Sequence, residues 1–311
     1  MILPATIPYL QLSADRIGAN PPHHTLPGTV RLSTVTLQIN NLDASVDYYT
    51  RVIGLTLHEQ SEVDGQRRAR LGTPDGEIFL ELREKPGVKY APHRGRLGIY
   101  HFALLLPTRD DLARFVRNAL DLGVHVGSGD HHYSEATYLK DPDGISIEVY
   151  RDRPREDWQV TEGGEIVGRG DPLDLEALKI SAGDSPWTGL PNGTTIGHMH
   201  FYIGDIAEGE RFYHAGLGFP KVTWSFIAPS GLFVGAGGYH HHIGLNTWAA
   251  GSPPSGENDA RLLTWDLILP DQTTLEQTVQ SLQTEGFEVT ATPEGPVAND
   301  PWGITVRLRT A

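Results

Sequence analysis

The chain's 311 residues, 39% hydrophobic and 21% charged, describe an ordinary soluble globular protein long enough for two domains. A formal net charge of −14 argues against nucleic acid as a partner, since phosphate binding runs on clustered Lys and Arg, and leaves a small molecule as the expected ligand. The lack of cysteine excludes disulfides, thiolate metal sites and cysteine nucleophiles, and with neither a basic-then-apolar opening segment nor an apolar run of membrane length the expected setting is cytoplasmic, with no membrane partner.

Residues 1–28 hold many prolines and His23–His24 and read as an extended arm. Residues 31–58, "RLSTVTLQINNLDASVDYYTRVIGLTLH", predict an alternating strand, an acidic turn, an amphipathic helix with an aromatic pair, and a glycine stop. Residues 97–150 predict a strand, a helix ending near Gly123, and further strands with a Pro-Asp-Gly turn before the last. Residues 151–193 are rich in Gly, Asp and Pro and read as a linker with local helix near "DPLDLEALKI". Residues 195–222, "TIGHMHFYIGDIAEGERFYHAGLGFPKV", then repeat 31–58: Tyr48–Tyr49 match Phe212–Tyr213, and Gly54 matches Gly218 as a helix C-cap. The stretch 250–259 reads as a surface loop. Residues 262–308 repeat 97–150, with Pro107 matching Pro270 and Asp141–Pro142 matching Asp300–Pro301.

Four βαβββ modules follow, at about 31–85, 97–150, 194–248 and 261–309. The expected division is an arm (1–28), a first two-module region (29–150), a linker (151–193) and a second two-module region (194–311).

The stretches "YHFALLLP", "YLKDPDGISIEVYRDRP", "IGHMHFYIGD" and "GGYHHHIGLNTWA" resemble the vicinal oxygen chelate superfamily, which includes glyoxalase I, bleomycin-resistance proteins and type I extradiol dioxygenases. The resemblance is to the bacillus-type catechol 2,3-dioxygenases. It implies an α+β fold in which the four modules form two cup-shaped mixed-sheet barrels. It also implies a metal bound by a His on one module's first strand and by a His and a Glu from the first and last strands of its partner module.

His101 and Glu148 hold those positions in the second module and His198 in the third. The first and fourth modules are bare, with Thr34, Thr264 and Arg307 at the matching places. Two histidines and one carboxylate leave open positions on a metal and suit Fe(II), with Mn(II) as the alternative. The set forms only if module two pairs with module three. Sequential pairing would instead offer Glu81, His101 and Glu148, a glyoxalase-like set.

The resemblance further implies an acid–base histidine in the segment His240–His241–His242. Strand alternation puts His240 and His242 on one side and His241 on the other, and the reading places His242 toward the cup with His241 as the alternative. Tyr138 precedes Glu148 by the interval of the family's active-site tyrosine and is expected to donate a hydrogen bond to substrate or the oxygen intermediate. His131 and His132 are expected at the cup rim and His200 in a supporting role.

The implied function is metal-dependent extradiol cleavage of a small aromatic diol by dioxygen. The alternatives are a glyoxalase-type isomerase or lyase, and a non-catalytic drug-binding protein of the bleomycin-resistance kind. A homo-oligomer and a monomer fit the sequence equally.

Overall fold

A computed structural model describes residues 10–311; the part of the arm at 1–9 lies outside the described residues. The first module is β1 (Arg31–Ile39), α1 (Leu42–Tyr48), β2 (Thr56–Val63), β3 (Gln66–Gly72) and β4 (Ile78–Glu84). The second is β5 (Gly98–Leu105), α2 (Arg109–Asp121), β6 (Gly127–Asp130), β7 (Ser134–Lys140) and β8 (Ser146–Asp152). Residues 151–193 carry a small hairpin, β9 (Gln159–Val160) and β10 (Ile166–Val167), then α3 (Leu175–Ser181). The third module is β11 (Thr195–Tyr202), α4 (Ile206–Gly209), β12 (Lys221–Thr223), β13 (Gly231–Val234) and β14 (Ile243–Asn246). The fourth is β15 (Arg261–Leu269), α5 (Gln272–Thr284), β16 (Val289–Thr290), β17 (Val297–Asn299) and β18 (Thr305–Thr310).

Each helix starts where a polar side chain satisfies an orphan amide. Asn41, Thr108, Asp174, Asp205 and Asp271 each accept from the amide three residues on. In modules one and three the short helix widens into a π-helical turn, which begins at Tyr49 in the first and takes in Phe212 and Tyr213 in the third. Both turns are closed by the expected glycines, Gly54 and Gly218, at φ of 90° and 95°. A Cβ on Gly218 would stand 2.8 Å from the carbonyl of His24, so the described part of the arm is held against this cap.

Two mixed eight-stranded sheets result. In every module the first strand runs parallel to the last. The modules join through their first strands, antiparallel: β1 with β15, and β5 with β11. Module two therefore pairs with three and module one with four. Each sheet takes one module from either side of residues 151–193.

Alternation along the strands divides the chemistry. Phe102, Leu104, Ile147, Val149, Met199 and Phe201 join one hydrophobic core shared with Leu37, Leu82, Trp265 and Leu267 of the other sheet. His101, Ala103, Glu148 and His198 point to the opposite face. Consecutive modules are pinned although they lie in different sheets. The Tyr49 hydroxyl donates to Asp141 at 2.9 Å, and that of Tyr213 donates to Asp300 at 3.0 Å.

Candidate metal centre

His198, Ala103 and Glu148 lie side by side across β11, β5 and β8. Ala103 is the register partner of both others. Register partners share a face, so His198 and Glu148 lean toward each other over the small Ala103 side chain. His101, two residues back on β5, shares that face. His101 Nε2 stands 3.0 Å from Glu148 Oε2, His198 Nε2 stands 3.1 Å from the same oxygen, and the two nitrogens are 3.2 Å apart. All three residues are buried.

Burial works against the Glu148 carboxylate, yet the imidazoles of His198 and His101 hold its pKa well below the usual range. Burial lowers the pKa of His101, against the opposing pull of Glu148, and so favours a neutral ring able to ligate. Three ligands at about 2.1 Å on one face of a six-coordinate ion are spaced about 3.0 Å apart. The observed triangle fits that face. Among the described residues this is the one group placed to hold a metal ion.

The cup holds a cavity of about 440 Å³. His241 lines it, with its ring centroid 4.2 Å from that of His198 and stacked on Phe233 at 4.4 Å. Its Nδ1 lies 2.9 Å from His240 Nδ1, and His240 Nε2 lies 2.8 Å from Asp152 Oδ1. Asp152 is an acceptor, so His240 carries its proton on Nε2. With His240 accepting at Nδ1, His241 donates through its own Nδ1–H and turns an unprotonated Nε2 toward the cavity. Burial, reinforced by His198 and His240, pushes the His241 pKa well down.

The expectation that His242 faces the cup is corrected. His242 does not line the cavity; its Nδ1 accepts from the Ala236 amide at 3.1 Å and its ring packs on Phe219 and Tyr239. Burial lowers its pKa to about 3. The three histidines precede β14 in a bend, so strand alternation does not apply to them.

Tyr138 lines the cup and its hydroxyl lies 2.6 Å from His131 Nε2. His131 Nδ1 donates to the Arg169 carbonyl at 2.8 Å, so Nε2 accepts the Tyr138 proton. In that arrangement the phenol oxygen turns its lone pairs toward the cavity. Burial, then the Glu148 charge, raises the Tyr138 pKa well above the ordinary phenol value. His132 pairs with Asp171 at 2.7 Å. His200 lines the cavity, and its Nε2 accepts from the Asn246 amide at 2.9 Å. That amide is oriented by its own oxygen, which accepts from the Trp248 amide.

The glyoxalase-like set is not assembled. Glu81 lies on β4 in the other sheet, 2.6 Å from Arg83 Nε. In that second cup Arg307 replaces the carboxylate position and makes a two-pronged pair with buried Asp266, at 2.8 and 3.0 Å. Asp266 stands in register with Arg307 as Ala103 does with Glu148.

Several cup residues were missed at the sequence level: Tyr100, Ile227, Phe233, Trp248 and, from the 151–193 segment, Arg169. Asp152 carried a readable signal. It lies four residues beyond Glu148 on one strand and so shares its face.

A sequence profile of the glyoxalase/bleomycin resistance protein/dioxygenase superfamily matches residues 31–149. The chain is 39% identical over 266 residues to catechol-2,3-dioxygenase of Bacillus subtilis (strain 168), a match covering 85% of this chain and 92% of that one. The chain belongs to this superfamily. Solved structures of the superfamily's fold agree. Glyoxalase I from Zea mays superposes with a TM-score of 0.56 at 18% identity, covering 90% of this chain and 92% of that one. A Bacillus subtilis structure provisionally described as a dioxygenase gives 0.60 at 12% identity, covering 93% and 86%.

Proposed function

We propose that this chain is a metal-dependent extradiol dioxygenase, opening a catechol-type ring beside its hydroxyls with dioxygen. The observation that carries the reading is the triangle of His101, His198 and Glu148 on the floor of a cup that His241 and Tyr138 also line. The catechol-2,3-dioxygenase relative supports the same chemistry.

His101, His198 and Glu148 would hold one Fe(II), with Mn(II) as the alternative. When bound, the ion would bring the diol and dioxygen together and carry electrons between them. His241 Nε2 accepts a proton from a diol hydroxyl and returns it later in the reaction. His240 and Asp152 keep that nitrogen unprotonated in the resting site. Tyr138, with its proton directed at His131, accepts a hydrogen bond from the second hydroxyl. Apolar walls at Phe233 and Ile227 keep water from the reacting ring.

The deciding experiment loads the protein anaerobically with Fe(II), adds catechol, then admits oxygen. Equimolar oxygen uptake and a ring-opened product containing both oxygen atoms are expected. A metal-loaded protein that binds catechol but consumes no oxygen would refute the reading.

A further inference from the structure

The second cup, built by modules one and four, is lined by charge. Along β3, Ala69 and Leu71 join the core, so Arg68 and Arg70 point to the cup face. There they line an open cavity of about 340 Å³ with Glu59, Glu81, Arg307 and Arg309. Arg70 is the register partner of Glu81, the place that Tyr138 takes beside Glu148 in the other cup.

The ion pairs of this cavity leave one cation over. Arg307 and Arg309 share the buried Asp266, and Arg307 also meets Glu294 at the rim. Glu81 is taken by Arg83 at 2.6 Å. Glu59 comes only to 3.8 Å from Arg70, and both of these side chains are half-exposed. Arg68 has no carboxylate partner among the described residues, and its buried Nε has no acceptor. Its register partner on β4 is Arg83, a second guanidinium. Like charges directly opposite one another destabilise a sheet, and a buried donor without an acceptor costs more. In a chain of net charge −14 this arrangement asks for an anion. Thr36 and Thr264, register partners on β1 and β15, share the face of Glu81. The buried Oγ1 of each also lacks a hydrogen-bond partner, so two further donors stand on that face.

We propose that the second cup binds a small oxyanion, a carboxylate or a phosphate group, on the guanidiniums of Arg68 and Arg70. The planar fork of a guanidinium matches two oxygens of either group. Arg70 exchanges its loose contact with Glu59 for the anion, and Arg68 gains the acceptor it lacks. Arg307 and Arg309, held by Asp266, form the opposite wall. At about 30 Å³ for each water-sized group, the cavity of about 340 Å³ has room for on the order of ten non-hydrogen atoms, enough for a small organic acid or phosphate ester. The site needs neither the metal triangle nor turnover, and it stands apart from the dioxygenase reading.

The test titrates Mn(II)-loaded protein with inorganic phosphate and with succinate by calorimetry, in chloride at fixed ionic strength. At least one of the two should bind saturably. Arg68→Gln and Arg70→Gln should each weaken that binding by at least about tenfold, the worth of a charged hydrogen-bonding partner, with metal content unchanged. Arg51→Gln, which alters an exposed charge elsewhere, should bind as wild type does. Phosphate alone bound points to a phosphorylated ligand, and succinate alone to an organic acid. Without added anion the Tm of Arg68→Gln should equal or exceed that of wild type, because Arg68 faces Arg83 and holds no partner. Saturable binding of neither ion would overturn the inference. So would binding unchanged in Arg68→Gln, which would put the anion elsewhere, or a clear fall in the anion-free Tm of that variant, which would make Arg68 a structural residue.

Discussion

His240 donates through Nε2 to Asp152 Oδ1 at 2.8 Å, and this one bond sets the protonation pattern of the neighbouring His241. His241→Ala should retain metal while kcat falls by about a hundredfold to ten-thousandfold, the usual worth of a positioned acid–base group. Asp152→Asn should lower kcat by about tenfold with metal unchanged, since an amide can present either a donor or an acceptor to His240. His242→Ala should stay within a few-fold of wild type, because its ring bonds the Ala236 amide outside the cup. Paired turnover and metal assays check all three, and a fully active His241→Ala would remove the residue from the mechanism.

Ala103 governs whether the ligands meet. It is fully buried between His198 and Glu148 in the strand register. Ala103→Leu would place a branched chain where the two side chains converge. Metal content should drop by at least about tenfold while the circular dichroism spectrum remains that of wild type. Ala103→Ser should keep most of the metal. A fully metallated Ala103→Leu would show that the triangle tolerates being spread.

The repeats made the modules and the helix stops legible, and put His101, Glu148 and His198 at matching strand positions, because each depends on local spacing. The pairing of modules two and three was also legible, since His198 and His101–Glu148 sit in those modules and the equivalent places elsewhere hold Thr34, Thr264 and Arg307. The side of the cup taken by His241 was not. Strand periodicity governs side-chain direction only where the chain is a strand, and residues 240–242 bend before β14. The contribution of Arg169 and the hairpin β9–β10 was hidden for another reason. Residues 151–193 have linker composition, yet Trp158, Val160 and Ile166 pack with Tyr133 and Val222 beside the cup.

Metal should couple to stability through the same triangle. A ligand that binds only the folded state stabilises it by about 2.7 kcal/mol at a hundred times its Kd. Fe(II) or Mn(II) added under anaerobic conditions should raise the Tm of the wild-type protein, and a chelator should reverse the shift. Glu148→Ala should bind little metal and show no such rise, since two imidazoles remain without the carboxylate. An equal rise in both proteins would place the metal elsewhere.

The Tyr49–Asp141 bond between the sheets makes a prediction about pH. Burial raises the Asp141 pKa from the ordinary 3.8 to about 7, against the opposing effect of the Tyr49 hydroxyl and the Ile145 and Asp143 amides. The folded value lies above the unfolded one. The stability this group contributes is therefore complete below about pH 4 and is lost as pH rises through about 7. Tyr49 donates to the carboxylate and so favours its charged form. Tyr49→Phe should raise the folded pKa further and deepen the loss at high pH. The mutant should be little changed at pH 5 but weaker than wild type by about 1–3 kcal/mol at pH 8. Tyr213→Phe should behave alike around Asp300, whose pKa burial raises to about 6, so its penalty should develop at lower pH. Denaturant midpoints for both variants across pH 5–8 test this. A penalty larger at pH 5 than at pH 8 would mean that Tyr49 stabilises the protonated acid.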